Sequence, residues 1–152
     1  MDKTAFIARF RDDIRVRVDW HAFMSETWSV RVERLSLPDA LERLWTPWYP
    51  NAAQGPPPAN PHAWPLSVSE AAANRHRLGE NQESLDRHIA AWRNDVVIEA
   101  PAYALPRGVH LLLDRNHRVV AGAMQQGRAP LVLAVIEGPP GARLLPDLPA
   151  FV

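Results

Sequence analysis

Apolar residues crowd into Val109–Leu113, where only His110 interrupts the aliphatic run, and again into Leu131–Ile136. Runs of this length, bounded by Gly108 and by turn residues, predict buried strands. Between them the polar stretch Asp114, Arg115, Asn116, His117, Arg118 gives way to Val119, Val120, Ala123 and Met124 at helical spacing, with Gly127 as a stop. The order is strand, polar turn, helix, strand.

The rest of the chain is patterned more unevenly. Phe6, Ile7, Phe10 and Ile14 behind the caps Asp2 and Thr4 predict an opening amphipathic helix. Val16, Val18 and Trp20 alternate with polar residues, as do Val30 and Val32, so one or both segments read as strands. Ser36, Pro38 and Asp39 announce a helix carrying Leu41, Leu44, Trp45 and Trp48 on one face until Pro47 and Pro50 end it. The seven prolines between Thr46 and Leu66 exclude an internal helix or central strand there.

Beyond that loop, Ser67 and Glu70 form a capping-box pattern for an Ala-rich helix through Leu78, closed by Gly79. Leu85, Ile89 and Trp92 mark a second helix between Asn81 and Asn94. Strand character resumes at Val96–Ile98 and continues past Pro101, Tyr103 and Leu105, before Pro106, Arg107 and Gly108 turn the chain. After Ile136 a turn leads to a tail in which Leu144, Leu145 and Leu148 tack onto the core. The pattern predicts one mixed α/β (α+β) domain over 1–152: an N-terminal helix, strand and helix over 1–45, a Pro- and aromatic-rich loop over 46–66, and a core over 67–152 built as a small sheet flanked by helices.

Composition narrows the chemistry. With 17 basic and 17 acidic residues, no global field attracts nucleic acid or an anionic membrane. Without cysteine there is no disulfide, zinc thiolate or thiol nucleophile. No apolar stretch approaches the roughly 20 residues of a membrane helix, and no uninterrupted signal-peptide core opens the chain, so a cytoplasmic protein is expected. The six histidines include no H-x-x-x-H pair, and Walker, G-x-G-x-x-G and G-x-S-x-G motifs are missing.

The turn at Asp114–Arg118 therefore holds the most concentrated polar chemistry. A strand feeding a helix through such a turn aims free backbone N–H groups and the positive end of the helix dipole at one point, where anions bind. Arg118 adds a planar, permanently charged fork, and Asn116 and His117 add donors. Asp114 can hold a metal, accept a proton or orient Arg118. A purely structural turn, with Asn116 as a cap and Asp114 paired to Arg118, explains the same residues.

The stretch VHLLLDRNHRVVAGAMQQGRAPLVLAVIEG, with the preceding SLDRHIAAWRNDVVIEAPAYAL, resembles the ParB/sulfiredoxin superfamily over roughly residues 81–138. There a strand ends in a D-G-x-H-R or G-E-R-R type turn, followed by a helix and another strand. The resemblance implies nucleotide binding through the turn, used in different branches for a DNA clamp operated by CTP, for phosphoryl transfer to a peroxiredoxin, or for phosphorylating a small amino acid. By resemblance Asp114, Asn116, His117 and Arg118 fall on the motif, with Arg118 on the phosphate-binding arginine; the expected phosphate- or nucleotide-binding residues are Arg115, Asn116, His117 and Arg118. If the domain is an enzyme, Asp114 is expected to position a divalent ion or act as base and His117 to donate to a phosphate oxygen or assist proton transfer, as the catalytic residues for a nucleoside di- or triphosphate with Mg²⁺.

Two departures matter. Asn116 stands where sulfiredoxin-like members carry cysteine, which removes that chemistry. Arg115 stands where many relatives have glycine, which implies either a looser turn or an extra cation. The expected function is thus a nucleotide- or phosphate-binding domain, extending to phosphoryl transfer or nucleotide hydrolysis, with Glu33 or Glu80 as candidate second carboxylates. The alternative is a non-catalytic interaction module, an immunity, adaptor or regulatory subunit, whose protein partner docks on the Trp- and Pro-rich segment 45–66. A DNA partner is disfavoured, since no helix-turn-helix follows Gly138 and the charge is balanced.

Overall fold

The longest apolar runs become the interior of a sheet. The computed structural model describes residues 1–25, 27–49, 65–79, 81–139 and 143–147. Strands β1 (Ser29–Ser36), β2 (Leu44–Trp45), β3 (Ile98–Leu105), β4 (Val109–Leu112) and β5 (Pro130–Glu137) form one mixed sheet in the order β1-β5-β3-β4-β2. β5 pairs antiparallel with β1 and parallel with β3; β4 pairs antiparallel with β3 and parallel with β2. The helices are α1 (Lys3–Phe10), α2 (Trp20–Phe23), α3 (Leu37–Ala40), α4 (Val68–Ala73), α5 (Asn81–Ala90) and α6 (Asn116–Met124). The described residues make a single mixed α/β domain.

Side chains of a strand alternate between faces, so a strand covered on both sides reads as a continuous apolar run. β5 shows this directly. Leu131, Leu133 and Val135 point into a layer with Leu85, Val119 and Val120, on the side of α3 to α6. Ala134 and Ile136 point the other way, into a layer with Phe6, Phe10 and Phe23 of α1 and α2. Leu144 and Leu145 complete that second layer, as the apolar tail predicts. The regions 1–45 and 67–152 thus share one sheet, with β1 and β2 supplying its two edges.

Several expected elements take a different form. Val16 and Val18 make no strand: Val18 is buried, and Asp19 turns the chain by accepting the Ala22 N–H at 2.9 Å as the cap of α2. Their alternation reflects an extended segment docked on the apolar layer, whereas Val30 and Val32 do lie in β1. The helix announced by Ser36 stops at Ala40 and tightens into a 3-10 turn over Leu41–Arg43. Leu44 and Trp45 then pair with His110 and Leu111, because burying Leu44 fully beside β4 outweighs a further helical turn.

The capping box at Ser67 and Glu70 is complete: the Ser67 hydroxyl accepts the Glu70 N–H at 3.1 Å, and the Glu70 carboxylate accepts the Ser67 N–H at 2.8 Å. The helix it opens ends at Ala73 rather than Leu78, with Asn74 as C-cap and a 3-10 turn following. α5 also ends early, at Ala90. Trp92, beyond its end, lies against α6, where a Cβ on Gly122 would come within 2.5 Å of the ring and one on Gly127 within 2.3 Å. Small residues at both positions let the indole seat directly on the backbone of α6 and the turn after it. Of the Pro-rich loop, 50–64 lie outside the described residues, as do Glu80 and Leu148. Its flanks are tied together, with the Thr46 N–H donating to Leu66 O at 2.9 Å and the Leu66 N–H to Trp48 O at 2.8 Å.

Candidate functional site

The turn after β4 is built from backbone first. The Leu113 N–H donates to Pro101 O at 2.9 Å, carrying the pairing with β3 one residue past the end of the strand. Arg115 then adopts φ +65°, ψ +15°, a left-handed conformation, as the N-cap of α6, and contributes no side-chain cap. That geometry is the one glycine favours, and a residue with a Cβ adopts it at a cost of roughly 1–2 kcal/mol. The turn is therefore as tightly wound as a glycine would allow. The cation is engaged: Arg115 Nη1 donates to Asp114 Oδ2 at 2.6 Å and Nη2 to Asp13 Oδ2 at 3.1 Å. These charge-assisted bonds offset the strain and fix the turn against the segment after α1.

The first turn of α6 carries the remaining motif residues. Asn116 is 8% exposed, and its Oδ1 is buried without a hydrogen-bond partner among the described residues. Rotating the amide would put an N–H donor there instead. His117 lies between two rings, Trp48 at 4.7 Å and His88, stacked at 5.7 Å, and its Nε2 is 3.2 Å from Asn81 Oδ1. Burial, helped by the neighbouring His88 and Arg87 and opposed by Asp114, holds the His117 imidazole below the ordinary histidine range. Arg118 differs from both. It is exposed, and among the described residues it makes no hydrogen bond or ion pair. The first-turn N–H groups of α6 likewise have no side-chain cap.

Arg118 stands where two clefts meet. One, of about 370 Å³, is walled by His88, Ala91, Trp92 and Val96 with Arg87 and Arg93 at its rim. The other, of about 340 Å³, is more polar and is lined by Arg9, Glu99 and Arg115 with Phe10 and Val97. Adjacent residues, Val96 and Val97, face different clefts, so the chain leading into β3 forms the ridge between them. Arg9 and Glu99 are themselves ion-paired across the polar cleft.

A divalent ion at Asp114 meets a poorly matched donor set. The Arg115 guanidinium bridges Asp114 and Asp13, where a cation would need both carboxylates turned toward it. Among the described residues no three His, Cys, Asp or Glu side chains are grouped as a metal centre requires. Glu33, a candidate second carboxylate, lies with a different group.

That group centres on His110, the polar interruption of β4. Its imidazole is 3% exposed, and its Nε2 is 3.0 Å from Glu33 Oε2 on the edge strand β1. Arg31 Nη1 donates to the same Glu33 oxygen at 2.8 Å, Arg31 Nε donates to Glu137 at 2.8 Å, and Arg43 lies 3.7 Å from the other Glu33 oxygen. With Nε2–H donating to Glu33, Nδ1 carries a lone pair that is buried and has no partner among the described residues. Burial pushes His110 below the ordinary histidine range, with Arg31 and Arg43 adding to the effect and Glu33 opposing it. Burial alone would raise Glu33, but the Arg31 bond and the positive charges around it hold it below the ordinary carboxylate range.

The structure brings Asp114, Arg115, Asn116, His117 and Arg118 into one turn and adds residues that the sequence did not single out. Asp13, Asn81 and Glu99 come from three other segments, and no local pattern marks them. Trp92 and His88 are visible as a helix face but not as a cleft wall. Comparisons of the chain with family models, with curated protein sequences and with solved structures returned no match.

Proposed function

We propose that this chain binds a phosphorylated ligand, a nucleotide in the first instance, through Arg118 and the first turn of α6. One observation carries the reading: an exposed guanidinium without an acceptor among the described residues, in the first turn of a nine-residue helix, at the junction of two clefts. A guanidinium fork matches two phosphate oxygens, and the helix start adds uncapped N–H groups and the positive end of its dipole. Arg115 holds the shape of the turn. The resemblance of the motif to the ParB/sulfiredoxin turn points to the same ligand class.

Binding is favoured over phosphoryl transfer. Asp114 Oδ2 accepts from Arg115 and His117 Nε2 faces Asn81 Oδ1, so each expected catalytic group already has one of its two heteroatoms engaged in holding the turn. Nucleotide turnover by the wild type, lost in Asp114→Ala, would reverse that preference.

The test is thermal denaturation with inorganic phosphate, pyrophosphate and nucleotides, with and without Mg²⁺. A ligand at about 100 times its Kd adds roughly 2.7 kcal/mol to folding stability, and Arg118→Ala is expected to remove the gain. If no phosphorylated compound raises Tm in a folded protein, a second reading takes over, a protein-interaction module. The Trp48 ring on His117 favours it, since that contact closes one side of the turn.

A further inference from the structure

We infer that the ligand carries a single phosphate joined to a flat apolar group, and that neither a polyphosphate tail nor a divalent ion takes part. The inference rests on Arg118 being the phosphate-binding group and narrows what that group can hold. Arginines are plentiful around the clefts, but the others have acids of their own. Arg9 pairs with Glu99, and Arg115 with Asp13 and Asp114. Arg87 lies 3.8 Å from Glu83, and Arg93 3.2 Å from Asp95. Of the arginines that line the two clefts, only Arg118 has no acid partner among the described residues.

The charge available for a ligand is therefore one guanidinium plus the helix start, worth about half a charge. A phosphate monoester carries roughly −1.5 to −2 at neutral pH, close to that supply. Each further phosphoryl group would need an arginine taken from its carboxylate, or a metal ion. The metal ion would have to displace Arg115 from Asp114 and Asp13, which would release the left-handed turn that starts α6.

The ligand's other end follows from the walls. Beside Arg118 the larger cleft presents Trp92, with Ala91 and Val96, to whatever the phosphate carries. The indole is fixed before any ligand arrives: its Nε1–H donates to Asn94 Oδ1 at 3.0 Å, and its ring is seated against Gly122 and Gly127. A fixed aromatic wall binds a flat ring without a further ordering cost. In the polar cleft Arg9 is paired with Glu99 and Arg115 with Asp13 and Asp114, so Arg118 is again the lining guanidinium left without an acid among the described residues.

Calorimetric titration tests this with four compounds, each with and without Mg²⁺: inorganic phosphate, a ribose phosphate, a nucleoside monophosphate and the matching triphosphate. The monophosphate is expected to bind at least ten-fold tighter than ribose phosphate, no more weakly than the triphosphate, and without a Mg²⁺ effect. Ala91→Phe, at an exposed position in the larger cleft, is expected to cut monophosphate affinity to that of ribose phosphate. Triphosphate binding ten-fold tighter with Mg²⁺, still lost in Arg118→Ala, would overturn this inference and leave the phosphate site standing. Equal binding of ribose phosphate and nucleoside monophosphate would overturn it too. If none of the four binds, the phosphate site itself falls, and this inference with it.

Discussion

Acidification below pH 6.5 is expected to destabilise this protein through His110. In the unfolded chain the imidazole titrates near its ordinary value of 6.5, while in the folded protein burial pushes it lower. Between those two values the unfolded state binds a proton that the folded state refuses. Stability is then full above pH 6.5 and falls as pH drops toward the folded value, by up to about 1.4 kcal/mol per pH unit for one proton. His117 is shifted the same way and adds to the slope. Glu33, held below its ordinary 4.5, adds a later loss of the same sign as pH falls through its folded value.

Urea denaturation at steps from pH 8 to pH 4 measures this directly, with a constant m-value as the check that only stability changes. His110→Gln keeps an N–H donor for Glu33 but does not titrate, so its loss between pH 6.5 and 5 is expected to be shallower than in the wild type. Glu33→Gln also keeps the acceptor, yet removes the charge that favours protonated His110, and is expected to extend the loss to lower pH. Glu33→Ala leaves the buried Nε2–H unpaired, at a cost of about 1–3 kcal/mol at neutral pH. A wild-type profile flat from pH 8 to 5, or a His110→Gln profile as steep as the wild type, would refute the reasoning. An NMR titration placing the His110 imidazole above 6.5 would do the same without any variant.

Two further outcomes probe the site's framework. Arg115→Gly and Arg115→Ala both lose the bonds to Asp114 and Asp13 and differ in the left-handed N-cap, so the glycine variant is expected to be more stable by roughly 1–2 kcal/mol in chemical denaturation. Equal stability of the pair would mean that the turn relaxes. Gly122→Ala would place a Cβ within 2.5 Å of both Leu37 and Trp92, so a loss of about 1–3 kcal/mol is expected, with altered tryptophan fluorescence.

What the sequence revealed was what local pattern encodes. β4, α6 and β5 were legible because burial on both faces forces unbroken apolar runs and a helix forces its own spacing. The capping box at Ser67 and Glu70 was legible because both its bonds lie within four residues. β2 was not, since Leu44 and Trp45 become a strand only by pairing with His110 and Leu111, which no property of their own neighbourhood announces. His110 did leave a signal, a lone imidazole in a buried strand. Its meaning depended on Glu33, 77 residues earlier on a strand that does not neighbour β4.

The turn itself shows where motif reading stops. Arg115 and Arg118 are the same residue type three positions apart in one polar stretch, and residue type alone does not say which guanidinium is already held. Their partners do. Asp13, delivered by the segment after α1, joins Asp114 in holding Arg115, so that guanidinium maintains the backbone of the turn. Arg118 points to the junction of the clefts with no carboxylate among the described residues, so it alone is open to an anion. Counting arginines therefore overstates what such a turn can bind. The quantity that sets ligand charge is the number of guanidiniums left without acids, and tertiary contacts determine it. By the same reasoning, a carboxylate delivered to Arg118, or Asp13→Asn loosening the hold on Arg115, would change the preferred ligand charge without altering a residue of the motif.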